Sequence, residues 1–177
     1  LRQVLGAHVK KAGSVVEPGR LRFDFTHYAA MDRDEIEEVE RLVNERVIDN
    51  AKVDTYETEF DQKPEGTLAF FGEKYGKVVR VVDIGGFSRE LCGGTHCRAT
   101  GQVGAFVITG ERSIGSGLRR IEALSGESAD RYLRSRRAIL DAGVDALGIQ
   151  DAAQLPERIV LLQREAKEAR RRARTGT

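Results

Sequence analysis

Cys92-Gly93-Gly94-Thr95-His96 sets a thiol and an imidazole four residues apart on a glycine-rich turn. A thiolate and an imidazole suit a soft-to-borderline cation, Zn2+ being the natural one, and the glycines between them let the backbone bend around it. Such a pair is half of a tetrahedral site, and spacing does not identify the other half. His8 and His27, the other histidines of the chain, could approach the loop, but neither stands in a ligand-spaced pair. The same side chains allow a different chemistry, with Cys92 as a nucleophile activated by His96, although no third group to orient the base can be read from sequence. Cys97, adjacent to His96, points elsewhere in an extended segment and is assigned to core packing. A disulfide between Cys92 and Cys97 is disfavoured in a reducing compartment.

These residues need a scaffold. Lys77 to Ile84 gathers Val78, Val79, Val81 and Val82 into a strand of the kind buried on both faces, and it feeds the glycine-rich stretch from Asp83 to Cys97. Upstream, Ser14 to Val16 and Leu21 to Phe25 flank Glu17-Pro18-Gly19-Arg20 as a β-hairpin, and Leu1 to His8 reads as part of a helix. Asp32 or Asp34 caps a helix to about Asn50, with Ile36, Val39, Val43 and Val47 on one side. Lys52 to Phe60, Val103 to Thr109 and Leu118 to Leu124 are further strands, the last two joined through Gly110, Gly115 and Gly117. From Gly126 the pattern turns helical: Ser128 to about Asp141, a break around Gly143 and Gly148, then a long helix from about Asp151. In that last helix Leu155, Ile159, Leu162, Ala166, Ala169 and Ala173 alternate steps of four and three, the seam of a coiled coil or the inner face of an ordinary helix. The expected fold is α+β, a mixed, mainly antiparallel sheet with packed helices, followed by a C-terminal helical or coiled-coil segment. The domain edge falls at 125/126.

The chain has 177 residues, 40% of them hydrophobic and 32% charged, enough for one domain with a core plus an appended segment. No apolar run is long enough to span a bilayer and no signal peptide is visible, so a cytoplasmic location and no membrane partner are expected. The missing initiator Met and the opening inside a helix suggest a piece of something longer. Net charge is +1, but unevenly placed. Asp32 to Asp61 holds twelve acidic and four basic residues, whereas Arg158 to Arg174 holds seven basic and two acidic. A phosphate-facing surface is therefore expected toward the C-terminal half.

The stretch from Arg80 through Asp83-Ile84-Gly85-Gly86-Phe87-Ser88-Arg89-Glu90-Leu91-Cys92-Gly93-Gly94-Thr95-His96, ending Gly117-Leu118-Arg119-Arg120-Ile121-Glu122-Ala123-Leu124, closely resembles the editing domain of alanyl-tRNA synthetases. Leu5-Gly6-Ala7-His8-Val9, Gly13-Ser14-Val15-Val16, Leu21-Arg22-Phe23-Asp24-Phe25 and Phe71-Gly72-Glu73-Lys74-Tyr75-Gly76 match the family in order, so the resemblance covers nearly residues 1–125. The related threonyl domain usually carries Arg and Pro between its Cys and His, where this chain has Gly93, Gly94 and Thr95. That favours the alanyl class.

The resemblance implies a domain that hydrolyses serine or glycine wrongly esterified to tRNA(Ala), with Cys92 and His96 binding Zn2+ beside a His-x-x-x-His pair on the helix leading into Leu1. That pair is absent from this sequence, so the chain alone is expected to hold zinc weakly or not at all. Lys11 stands where many relatives have a pocket-lining Gln, and Gly93, Gly94 and Thr95 complete the expected substrate pocket. ATP belongs to the family's adenylate-forming core, which this chain lacks. No separate general base stands out, and the catalytic group stays unassigned. Arg89, Arg112, Arg119 and Arg120 are candidate contacts to tRNA phosphates, Arg119 and Arg120 on opposite faces of one strand. The basic last helix could track RNA; its heptads favour a linker with a helix–helix contact through 155–173. A free-standing deacylase of mischarged tRNA and a noncatalytic tRNA-binding module are the rival readings.

Overall fold

The computed structural model describes residues 1–69 and 75–175. Residues 71–74 of the family-like stretch Phe71 to Gly76 lie outside the described residues. Two compact units emerge, Leu1–Asp130 and Arg131–Thr177.

In the first unit a short helix α1 (Arg2–Leu5) precedes a hairpin of β1 (Lys11–Glu17) and β2 (Arg20–Thr26). Pro18 and Gly19 form its tip, Gly19 at φ +81°, the left-handed geometry that a Pro-Gly turn requires. Helix α2 (Arg33–Ile48) follows. Its start is a capping box: the Asp32 carboxylate accepts from the Glu35 N–H at 2.8 Å, and the Asp32 N–H donates to the Glu35 side chain at 2.9 Å. The remaining strands are β3 (Val53–Glu59), β4 (Val78–Ile84), β5 (Ser88–Leu91), β6 (Phe106–Gly115) and β7 (Leu118–Ser125). They form two antiparallel sheets, one ordered β1-β2-β7-β6 and the other β3-β4-β5. The α+β class with mainly antiparallel sheet agrees with the sequence reading.

Each sheet has its own apolar core. In the four-stranded sheet Phe25 is fully buried with Ile121, Ala123, Val9, Met31 and Val39, and Ile36 and Val43 of α2 pack against them. Helix α2 is also fixed to the edge strand: Asn44 donates to the Phe106 carbonyl and accepts from the Phe106 N–H, both at 2.9 Å. In the smaller sheet Val79, Val81 and Leu91 form a cluster with Phe60, Ala69 and Tyr75. Val81 and the adjacent Val82 both have no exposed surface, so the middle of β4 is covered on both faces.

Thr100 ties the end of α2 to the segment after the Cys92–His96 loop. Its hydroxyl donates to the Arg46 carbonyl and accepts from the Ala51 N–H, while its own N–H donates to the Ala51 carbonyl. The approach is so close that a Cβ on Gly101 would lie 2.4 Å from Asn50 Oδ1. A side chain at position 101 would have to displace the end of the Asn50 side chain.

Several element boundaries differ from expectation. The opening helix ends at Leu5 because Gly6, at φ +109°, turns the chain away, leaving His8 off the helix. β6 begins at Phe106 rather than Val103, since Thr100–Val103 winds into a 3-10 turn. Within the glycine-rich stretch β5 is a short strand, paired from Leu91↔Val81 to Ser88↔Ile84, that the flanking glycines mask in the sequence. α3 (Gly126–Leu147) continues through Gly143 and ends before Gly148, the residue that takes the left-handed φ of +61°. A mid-helix glycine weakens a helix without ending it.

In the second unit Asp151 caps a 3-10 turn, its carboxylate accepting from the Ala153 N–H at 2.9 Å, and α4 (Leu155–Thr175) follows. Among the described residues no helix is long and apolar enough to cross a membrane.

Phe25→Ala removes the largest fully buried side chain of the first unit. It is expected to lower unfolding stability by about 3–5 kcal/mol in a urea titration; a loss below about 1 kcal/mol would contradict the central position of this ring.

Candidate functional site

Cys92 leaves the end of β5 just after the buried Leu91, and two backbone interactions with Arg80 of β4 fix its departure. The Cys92 N–H donates to the Arg80 carbonyl at 3.1 Å, and the Arg80 guanidinium returns hydrogen bonds to the carbonyls of Cys92 and Gly94. A cation planted in the run Val78-Val79-Arg80-Val81-Val82 thus holds the loop from beneath. Sequence reasoning did not single out Arg80 as a support. The signal was there, a lone charge interrupting an apolar strand, which calls for a partner.

The loop folds Cys92 and His96 toward one point. A Cβ placed on Gly94 would lie 3.5 Å from Cys92 Sγ and 3.9 Å from His96 Nε2. A side chain at position 94 would touch both the thiol and the imidazole. His96 Nε2 is buried and has no hydrogen-bond partner among the described residues. A buried ring nitrogen without a partner costs roughly 1–3 kcal/mol, so its retention beside a thiol fits a cation ligand better than a packing role. The donor set, one sulfur and one imidazole nitrogen, is that of zinc. Among the described residues no group of three or more His, Cys, Asp or Glu side chains is gathered for a metal, so Cys92 and His96 stand as a pair.

The other sequence candidates fall in different places. Gly93 and Thr95 lie exposed in the loop itself, whereas Lys11 stands exposed on β1 of the other sheet, opposite Phe25. Cys97 is exposed rather than packed in the core, because the chain there runs irregularly outside any strand; both cysteines are free thiols. His8 and His27 meet each other, with His8 Nε2 2.8 Å from His27 Nδ1.

All four candidate arginines have carboxylate partners. Arg89 gives two hydrogen bonds to Asp83, at 2.7 and 2.5 Å, across the β4–β5 hairpin. That contact, aided by the Gly86 N–H, holds the Asp83 carboxyl below its usual pKa. Arg119 grips Glu111 with two bonds of 2.5 Å, and both side chains are largely buried. Arg120 grips Asp24 at 2.7 and 2.8 Å between β7 and β2. Arg112 meets Glu122 at 3.1 Å and, with half its side chain exposed, is the most open of the four.

A loop of this kind on a hairpin beside an antiparallel sheet defines a class. Residues 79–122, which contain the loop and both supporting strands of the hairpin, match the threonyl and alanyl tRNA synthetase second additional domain. The chain belongs to that family, on its alanyl side. It is 53% identical over 167 residues to an alanine–tRNA ligase of Opitutus terrae, covering 93% of this chain and 18% of that protein. It is 45% identical over 177 residues to the alanine–tRNA ligase of Thermotoga maritima, covering 99% of this chain and 20% of that protein. With the alanine–tRNA ligase of Staphylococcus saprophyticus the identity is 46% over 169 residues, 95% of this chain and 19% of that protein. The chain thus spans about a fifth of the length of these curated relatives.

Two outcomes follow from this geometry. First, Asp24 is buried, and the hydrogen bond from Arg120 lowers its pKa against an opposing effect of desolvation; Arg22 and Arg112 add to the lowering. A carboxyl depressed in the folded state contributes stability above its ordinary pKa of 3.8, and that contribution is lost as pH falls through the lower folded value. The gap in urea midpoint between wild type and Asp24→Asn should therefore be widest near neutrality and narrow below about pH 4; a gap independent of pH would rule the linkage out. Second, His96→Leu in metal-free protein should leave stability unchanged or raise it by up to about 1 kcal/mol, since an unpartnered nitrogen is removed. Differential scanning calorimetry showing a large loss instead would mean that the nitrogen has a partner.

Proposed function

We propose that this chain is the editing part of an alanine–tRNA ligase, hydrolysing the ester of serine or glycine mistakenly joined to tRNA(Ala). The observation that carries the reading is the convergence of Cys92 Sγ and the unpartnered His96 Nε2 about Gly94, inside the segment that matches the synthetase domain. ATP-dependent charging of tRNA would belong to the remaining length of such a ligase. A location in the cytoplasm accords with that role.

The chemistry demands a second site. A pocket built for alanine cannot strongly reject glycine, which lacks a methyl, or serine, which adds a hydroxyl. Hydrolysis at a separate centre restores discrimination. Cys92 and His96 would hold Zn2+ there, with further ligands from the His-x-x-x-His that the resemblance places upstream. When bound, the ion would supply a Lewis-acidic anchor for a polar group of the aminoacyl moiety.

The chain's own residues supply position. Arg80 fixes the carbonyls of Cys92 and Gly94, so the N–H groups of the Gly93–Thr95 backbone are carried on a braced loop and can orient water at the ester carbonyl. Water oxygen bonds to the carbonyl carbon, the bond from that carbon to the ribose oxygen breaks, and the ribose oxygen takes the proton. Lys11, with the loop residues Gly93, Gly94 and Thr95, is assigned to the substrate pocket. Of the candidate arginines we place Arg112 against phosphate, because Arg89, Arg119 and Arg120 are held more deeply by carboxylates. We assign α4 to a linker, with a helix–helix contact through 155–173.

The test is deacylation of seryl- and alanyl-tRNA by a longer chain that includes the upstream histidine pair, with zinc content assayed in parallel. Stoichiometric zinc and hydrolysis of the seryl but not the alanyl ester are expected, and Cys92→Ala should lower both by at least tenfold. A survival of the seryl ester in zinc-loaded protein would overturn the hydrolytic reading and leave a tRNA-binding module.

A further inference from the structure

β2 and the residue that follows it carry an inward ladder of rings. Phe23, Phe25 and His27 follow one another on one face with centroids 6.4 Å apart at each step. Phe23 and Phe25 belong to the core already described, but the ladder does not stop in the interior. At its end His27 is buried at 8% exposure, and the next residue, Tyr28, is 78% exposed.

The three rings at this end have a defined arrangement. His8 Nε2 and His27 Nδ1 are 2.8 Å apart while the ring centroids are 5.1 Å apart and the planes differ by 21°. The two imidazoles therefore meet edge to edge in nearly one plane, one donating and one accepting. Tyr28 lies 4.8 Å from the His8 centroid and 5.3 Å from that of His27, inclined by 18° and 29°. The separation from His8 is too short for a six-membered and a five-membered ring to meet edge to edge. Tyr28 must lie across the joined imidazoles, with its other face turned to solvent.

The support beneath it is fixed on both sides. The Thr26 hydroxyl donates to the His8 carbonyl and accepts from the Lys10 N–H, both at 3.0 Å. The His27 N–H donates to the Gly117 carbonyl at 3.0 Å. The neighbours in sequence leave the outer face accessible, since Ala29 and Ala30 are small and exposed; Lys11 stands exposed at the start of the adjoining β1, with the exposed Lys10 just before it.

We propose that Tyr28, laid over the His8–His27 pair, is a stacking platform for an unpaired nucleobase at the 3′ end of single-stranded RNA. A base offers a π-face of the right size, an exposed aromatic ring stacks on any base, and nearby lysines favour the phosphate that accompanies it. A docking protein would call for a collar of large apolar side chains around the ring, and the rings packed on Tyr28 are the two imidazoles. The assignment rests on the editing reading only for the identity of the strand, the acceptor end of an aminoacylated tRNA. The platform gives that strand an anchor separate from the Cys92–His96 loop.

The experiment uses the 177-residue chain and a short single-stranded RNA whose 3′-terminal base is 2-aminopurine, a fluorophore quenched on stacking. An otherwise identical RNA with an abasic 3′ end is compared by anisotropy through a 5′ label. Wild type is expected to quench the base and to bind the abasic RNA about tenfold more weakly. Tyr28→Ala should lose the quenching and bind both RNAs at the weaker level, and Tyr28→Trp should restore both. Circular dichroism confirms that the exposed substitution leaves the fold intact. Absence of RNA binding, equal affinity for the two RNAs in wild type, or unchanged quenching in Tyr28→Ala would each overturn the proposal. The two readings fail separately: ester hydrolysis that is indifferent to Tyr28 removes the platform and keeps editing, whereas Tyr28-dependent stacking without hydrolysis removes editing and keeps the platform.

Discussion

The pairing of β2 with β7 joins segments nearly a hundred residues apart, and the first unit depends on it. The ladder runs without interruption from Leu21↔Ala123 to Thr26↔Leu118. Phe25 on one strand and Ile121 and Ala123 on the other fill the core that α2 covers. The segment between β2 and β6, including α2, the smaller sheet and the Cys92–His96 loop, is thereby a closed excursion from one sheet. Closing a loop of that length costs entropy that only the finished sheet and its core recover, so the loop chemistry is inseparable from the strand pair. Asp24 and Arg120, directly opposite in that ladder, add a buried ion pair that a shift in register would leave unmatched.

Within the excursion, precision comes from polar groups set in apolar surroundings. Thr100 spends its hydroxyl and its N–H on the end of α2, and Arg80 spends its guanidinium on the carbonyls of Cys92 and Gly94. Each is a buried or half-buried group whose partners lie on another segment, so each defines position more than it adds stability. The contrast with His96 is informative. Its Nε2 is buried as those groups are, yet no partner meets it. In a loop held by Arg80 at Cys92 and Gly94, an unpartnered buried nitrogen is a group free to meet something outside this set of residues.

The elements legible in the sequence were those with a repeated local signal. α2 has both a capping box and an apolar stripe, the hairpin has Pro18 and Gly19, and β4 has its valines. β5 was missed because Ser88-Arg89-Glu90-Leu91 has little strand propensity of its own; it pairs because Arg89 faces Asp83 and Leu91 enters the Val79–Val81 cluster. The break expected at Gly143 was overridden by the rest of α3. Alternation in an extended segment turns Cys97 away from His96 and toward the core, but the backbone there is irregular and exposes it. For the site, Cys92 and His96 were visible as a spacing, but the brace from Arg80 and the meeting of His8 with His27 depend on strand register and are not visible in any one segment.

The arginines show why charge read along a sequence misleads about partners. Arg119 and Arg120 adjoin each other, and alternation sends them to opposite faces, where Glu111 and Asp24 await them. A phosphate approaching either guanidinium would have to displace a bidentate carboxylate from a site with little solvent, exchanging one strong charge-assisted contact for another of similar kind. Arg112 faces a weaker competitor, a single longer contact to Glu122 at a half-exposed position. On the proposed reading, affinity for RNA would therefore not scale with the arginine count of this unit. It would come from cations exposed to solvent together with contacts that carry no charge, and an exposed ring such as Tyr28 is the kind of group that can supply them.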